Sequence, residues 1–187
     1  MTIEELAVLV FDTAERIGVE FMAVGAFAAG AYGVPRSTRD VDILVSVSVV
    51  GGVEALIDSL APAVEFDRQV VFDTLTWGRR LVGKTRSAPP FKVELFEMFD
   101  DPFVQSEFSR RMKVFVPVLN RTTWLPTAED VIVQKLRWGR SKDLNDARDV
   151  LAVQGPETLD MAYIEGWCAK HGTATRLADA LAGIPPL

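Results

Sequence analysis

Asp40 and Asp42 stand two residues apart in the run Asp40-Val41-Asp42-Ile43-Leu44-Val45. On an extended strand, residues i and i+2 share a face, so the two carboxylates project side by side while Val41, Ile43 and Val45 point the other way. Like charges at that spacing repel unless a cation lies between them. With oxygen ligands and no histidine nearby, the natural ion is Mg²⁺, whose remaining octahedral positions suit substrate phosphates. Fifteen residues upstream, Gly25 closes the short apolar run Phe21-Met22-Ala23-Val24 and opens a small-residue stretch from Ala26 to Tyr32. A glycine there lets a ligand approach the backbone, and the start of the following helix offers unpaired N–H groups to an anion.

The elements that position these residues alternate between helix and strand. Thr2 and Glu5 form a capping-box pattern ahead of a helix that runs to Gly18. A strand over Phe21–Val24, a helix over Ala26–Tyr32 stopped by Gly33 and Pro35, a strand over Asp40–Val45 and a helix over Gly52–Leu60 follow. Two strands, Arg80–Gly83 and Phe91–Phe96, are separated by a turn-rich stretch, and a further strand covers Lys113–Val118. Thr127 caps a helix ending at Gly139, and helices over Asp143–Val153 and Leu159–His171 make the remainder helical until Pro185-Pro186.

Length and composition narrow the classes. The 187 residues suffice for one domain, with 49% hydrophobic and 25% charged side chains, which fits neither a disordered chain nor a fibrous repeat. No stretch approaches the ~20 apolar residues of a membrane span, and no basic region precedes an apolar one at the N-terminus. A cytoplasmic location is therefore expected. A single cysteine, Cys168, and a single histidine, His171, exclude an intrachain disulfide and a Cys/His-rich zinc cluster. The two are three residues apart without a third ligand, and read as a buried thiol and an exposed imidazole. At least two of Trp77, Trp124, Trp138 and Trp167 read as core. The net charge of −6 argues against a whole-surface nucleic-acid binder, yet Arg79 to Arg148 holds 14 basic against 9 acidic residues, enough to hold a polyanion locally. Arg79-Arg80 and Arg110-Arg111-Lys113 offer such a grip, or simply a solvated strand edge.

Taken together, Gly25-Ala26, the short helix and the Arg36-x-Thr38-x-Asp40-x-Asp42 run resemble the DNA polymerase β-like nucleotidyltransferase superfamily, in particular its AbiEii-like toxin branch. The resemblance implies an α/β (α+β) nucleotidyltransferase fold, in which a short mixed β-sheet is flanked by helices. It also implies a third carboxylate on a later strand, supplied by Glu94 in Phe91-Lys92-Val93-Glu94-Leu95-Phe96, with Glu97 a second choice. Alternation sets Glu94 and Phe96 opposite Val93 and Leu95, where a carboxylate needs a partner such as a metal or a lysine. The run from Glu129 to Asp146 is similar to the family's C-terminal pattern, a helical lysine followed by Lys-Asp-x-x-Asp. That implies phosphate contact by Lys135 and a cleft shaped by Asp146, with Lys142 and Asp143. Lys142 and Asp146 are also spaced for an ordinary helix-surface pair. The family's usual Gly-Ser or Gly-Gly is Gly25-Ala26 here, so a phosphate-binding hydroxyl is missing while the Ala26 N–H remains.

The expectation is therefore a nucleotidyltransferase core over 1–125 and a C-terminal helical portion over 126–187. It would bind NTP and two Mg²⁺ ions through Asp40, Asp42 and Glu94, with Gly25, Ala26, Arg36, Thr38, Lys135, Lys142 and Asp146 around the nucleotide. The acceptor would be a hydroxyl, a tRNA end by resemblance, with a cognate antitoxin as partner. The competing readings are a silent nucleotide-binding module, a transferase acting on protein or a small molecule, and a metal-dependent phosphodiesterase, the last weakened by the absence of a histidine beside the carboxylates.

Overall fold

The computed structural model describes residues 1–47, 51–73 and 78–184. Helix α1 (Ile3–Arg16) begins at the expected capping box, in which Thr2 accepts from the Glu5 N–H at 3.2 Å and Glu5 accepts from the Thr2 N–H at 2.8 Å. Strand β1 (Phe21–Ala23), helix α2 (Gly25–Tyr32), strand β2 (Asp40–Val45) and helix α3 (Gly52–Leu60) follow at the positions read from the sequence. Strands β3 (Val64–Phe72), β4 (Arg79–Thr85) and β5 (Lys92–Glu97) complete a five-stranded sheet in the order β1-β2-β5-β4-β3. The β2–β5 neighbours are parallel and the other pairs antiparallel. Hence the sheet is mixed.

Beyond the sheet come α4 (Pro102–Ser109), a two-stranded ribbon of β6 (Met112–Val116) and β7 (Arg121–Leu125), and four helices: α5 (Ala128–Trp138), α6 (Ser141–Gln154), α7 (Met161–His171) and α8 (Ala174–Ala182). Three elements differ from the sequence reading. β3 was not expected because its residues alternate poorly: most of Val64–Phe72 is exposed or half-exposed, as suits an edge strand. α4 is set by Asp101, whose carboxylate caps the Phe103 and Val104 N–H groups ahead of Pro102 at the first turn. β7 is short, and pairs with β6 once a 3-10 turn over Pro117–Leu119 has reversed the chain at Asn120, which has φ 47°.

One face of the sheet carries Val41, Ile43, Val45, Val93 and Leu95, fully buried in the main core with Leu6, Val10 and Phe11 of α1. The opposite face divides along its length. At the start of β2 and β5 it presents Asp40, Asp42 and Glu94, and at their ends Leu44 and Phe96 join Met22, Val104 and Phe108 in a small second apolar cluster roofed by α4. The scattered tryptophans do not become central core: Trp124, Trp138 and Trp167 are half-buried, and Trp77 lies outside the described residues together with Pro185 and Pro186. The Cys168 thiol is buried as expected. The imidazole of His171, expected to be exposed, is half-buried because it stacks edge-on against Phe103 and lies over Trp167. Among the described residues no helix is long and apolar enough to cross a membrane.

Candidate active site

The parallel register sets Asp40 beside Lys92 and Asp42 beside Glu94, so the three acids expected from the sequence share one face of two adjacent strands. Asp42 occupies the centre. Burial, then Glu94, then Asp40 push its carboxyl up to about 7, against the opposing pull of Lys135 and Lys142. Gly25 makes this packing possible. It adopts φ +65°, and a Cβ there would stand 2.1 Å from Asp42 Oδ2. The strand end is fixed in turn by the Val24 N–H, which donates to the Asp42 carbonyl at 2.9 Å.

Glu94 is engaged by the protein itself: Arg80 Nη1 donates to its Oε2 at 2.8 Å. Arg80 lies on the neighbouring strand, diagonally across from Glu94, a relation that only the β4–β5 register reveals. Glu97, the second choice, pairs with Arg79 at 3.3 Å. Asp40 has Lys92 at 3.9 Å, and its N–H donates to Thr38 Oγ1 at 3.2 Å, so Thr38 acts here as a cap at the strand entry.

The C-terminal pattern forms a buried ionic clamp. Lys135 Nζ lies 2.7 Å from Asp146 Oδ2 and 3.3 Å from Asp143 Oδ1, with all three side chains at most 4% exposed. Arg36 grips the same Asp146 with two bonds of 2.7 and 3.0 Å, and Arg140 holds Asp143. Burial pushes the Asp146 carboxyl up, but the bonds from Arg36 and Lys135 more than offset this and hold it below the usual carboxylate range. Asp146 thus pairs with Arg36 and Lys135, and the spacing to Lys142 on its own helix is not used for an ion pair. Lys142 instead lines an open cleft of about 440 Å³ with Arg36, Thr38, Arg39, Asp40 and Lys92. Ala26 is buried in the first turn of α2, a helix with no side-chain cap.

The sequence reading missed Arg39 and Lys92, and placed Arg80 in a polyanion grip rather than beside Glu94. Arg39 directly precedes the acid strand and Lys92 precedes the strand of Glu94, positions whose signal emerges once the two strands are known to be parallel neighbours. Of the grips expected at Arg79-Arg80 and Arg110-Arg111-Lys113, the arginines are tied down internally, Arg79 by Glu97, Arg80 by Glu94, Arg110 by Asp130 at 3.2 Å and Arg111 by Glu20 at 2.8 Å, whereas Lys113 is exposed beside the Trp124 ring.

Among the described residues, no three His, Cys, Asp or Glu side chains stand close enough as they are to hold a metal ion. Asp40 and Asp42 nevertheless suit Mg²⁺ by donor type, and the crowding that raises Asp42 is what a bound divalent cation would relieve.

The sequence matches no protein-family model and no curated protein. Its architecture is shared with solved structures. The crystal structure of ANT(2'')-Ia in complex with adenylyl-2''-tobramycin superposes with a TM-score of 0.64 at 13% identity, covering 94% of this chain and 99% of that one. Lincomycin-bound LnuA, a lincosamide antibiotic adenylyltransferase, gives 0.54 at 12% identity, covering 82% of this chain and 98% of that one. An antigenic nucleotidyltransferase-like protein from Paracoccidioides brasiliensis gives 0.53 at 18% identity, with 98% and 94% covered. The chain has the nucleotidyltransferase fold. Within that fold, the paired aspartates on β2, the turn at Gly25 and the clamp between α5 and α6 are the features of this chain that bear on chemistry, because fold alone does not assign an activity.

Proposed function

We propose that this protein transfers a nucleoside monophosphate from an NTP to a hydroxyl acceptor, releasing pyrophosphate. The observation that carries this reading is the in-register parallel pair β2–β5, which gathers Asp40, Asp42 and Glu94 on one face beside a cleft lined by Arg36, Arg39, Lys92 and Lys142. The four cations receive the triphosphate, while Gly25 leaves room for a phosphate to approach the start of α2. Asp40 and Asp42 would hold Mg²⁺, which when bound neutralises phosphate charge and lowers the acidity barrier of the acceptor hydroxyl. Glu94, held by Arg80, is placed to accept the hydroxyl proton as the acceptor oxygen bonds to the α-phosphorus and the bond to pyrophosphate breaks. The antibiotic adenylyltransferases that share the fold support nucleotidyl transfer as the reaction class. A tRNA end, the acceptor that the toxin-like resemblance implies, and a small alcohol are the two acceptors to offer side by side, and an antitoxin is the partner that the same resemblance implies.

A second reading, a silent nucleotide-binding module, is favoured by Ala26 at the usual hydroxyl position and by the engagement of Glu94 with Arg80. One experiment separates the two. Incubation with Mg²⁺, each α-labelled NTP and a cell extract as the source of acceptors should transfer label with release of pyrophosphate, and Asp42→Asn should abolish both while retaining the fold by circular dichroism. Magnesium-dependent NTP binding with no pyrophosphate from the parent protein would establish the silent module instead.

A further inference from the structure

The acid face continues into a feature that nucleotide binding does not use. At the ends of β2 and β5, where Leu44 and Phe96 follow Asp42 and Glu94 on the same face, a cleft of about 40 Å³ opens between the sheet, α4 and α5. By the measure that about 10–15 Å³ admits one water, it accepts a group of a few heavy atoms. Its walls include Val24, Leu44 and Phe96, and its polar lining includes Glu97, Glu107, Gln134 and Trp138. Gln134 Oε1 and Trp138 Nε1 are buried and have no hydrogen-bond partner among the described residues. Glu107 is 4% exposed, and no hydrogen bond to its carboxyl occurs among the described residues. Native proteins seldom leave a buried acceptor and a buried donor side by side unsatisfied, because each such group costs folding free energy. Such a set suits a polar ligand group.

Position and charge say which group. The cations Arg36, Arg39, Lys92 and Lys142 gather at the entry to β2 and β5, the cleft lies at the exit, and the acids stand between. In phosphoryl transfer, the attacking oxygen and the leaving group lie roughly in line on opposite sides of phosphorus. With pyrophosphate drawn to the cationic end, the attacking hydroxyl arrives from the cleft. The described lining of the cleft contains Glu107, Glu97 paired with Arg79, and no lysine or arginine, so the lining itself offers a phosphate no cation.

We propose that this cleft is the acceptor subsite, and that it seats a small alcohol without phosphate groups, uncharged or carrying an ammonium, through Glu107, Gln134 Oε1 and Trp138 Nε1. The proposal rests on the nucleotidyl-transfer reading above. In the step, the alcohol O–H bond breaks, its oxygen bonds to the α-phosphorus, pyrophosphate leaves and Glu94 takes the proton. Burial pushes the Glu107 carboxyl well above the usual range, with Asp130 adding to the rise; its protonated form donates to a hydroxyl, and its ionised form pairs with an ammonium.

The test offers the protein α-labelled NTP and Mg²⁺ with glycerol, choline, glycerol phosphate or bulk tRNA as acceptor, reading pyrophosphate release and label transfer separately. Label on glycerol or choline is expected. Gln134→Met and Trp138→Phe should each raise the KM for that alcohol about tenfold relative to the KM for NTP, the size of effect that one lost hydrogen bond produces. A uniform fall in kcat with unchanged KM would mark these residues as structural and overturn the proposal. Label confined to tRNA or glycerol phosphate, or pyrophosphate release that yields only free nucleoside monophosphate, would overturn the acceptor subsite and leave nucleotidyl transfer standing. Absence of pyrophosphate release with every acceptor would end the transfer reading itself, and the subsite with it.

Discussion

Asp42 is held in the fold at a cost that depends on pH. Its carboxyl is raised to about 7 from an ordinary value of 3.8, so between those values the folded chain binds a proton that the unfolded chain has released. Stability attributable to this group therefore falls as pH rises from about 4 to about 7, and the cost is fully present above that range. Asp42→Asn should raise the metal-free melting temperature at pH 8, about 2–4 °C for each kcal/mol relieved, and the gain should vanish near pH 4. Thermal scans across pH check this. Magnesium should raise the melting temperature of the parent at pH 8 and leave that of Asp42→Asn unmoved. Lys135 is the residue whose role the structure changes most. Its ammonium is enclosed between Asp143 and Asp146, so Lys135→Ala leaves two buried carboxylates short of a partner and should cost about 3–5 kcal/mol in urea unfolding, beyond any effect on nucleotide affinity.

At the scale of elements, the turn from β1 into α2 carries the tightest constraint. Gly25→Ala combines a left-handed backbone, costing about 1–2 kcal/mol for a side-chain-bearing residue, with a Cβ at 2.1 Å from the Asp42 carboxylate. The expected result is a lowered urea midpoint together with loss of NTP turnover, measured side by side. The elements nearest the site were legible because local signals agree there: Thr2 and Glu5 cap α1, Thr127 caps α5, and the alternation of Asp40–Val45 separates core from acid face. What the sequence withheld was pairing. Nothing local to Arg80 shows that it reaches Glu94, or that Arg36 finds Asp146, since both follow from which elements become neighbours. β3 escaped notice for a related reason: an edge strand needs no continuous apolar face, so its residues carry little periodicity.

For the molecule as a whole, the α5–α6 clamp joins the C-terminal helices to the entry of the acid strand. Arg36 holds Asp146 across 110 positions of chain, and α6 also packs so closely on α2 that a Cβ at Gly33 would stand 2.9 Å from the Val150 nitrogen. Arg36→Ala should destabilise by about 1.5–3 kcal/mol, less than Lys135→Ala, because Asp146 keeps its lysine. The two substitutions share Asp146, and only the double variant strips it of both cations, so its cost should exceed the sum of the two single costs in the same unfolding assay. Hydrogen exchange should show amides of α6 opening earlier in Arg36→Ala than in the parent.

That long-range link also orders events during synthesis. A ribosome delivers the aspartates of β2 well before α6, so the nascent chain displays Asp40 and Asp42 while Arg36 still lacks its partner. Only when residue 146 has left the exit tunnel can the clamp close, so the entry to the acid strand gains its Arg36–Asp146 tie after the strand itself has been made.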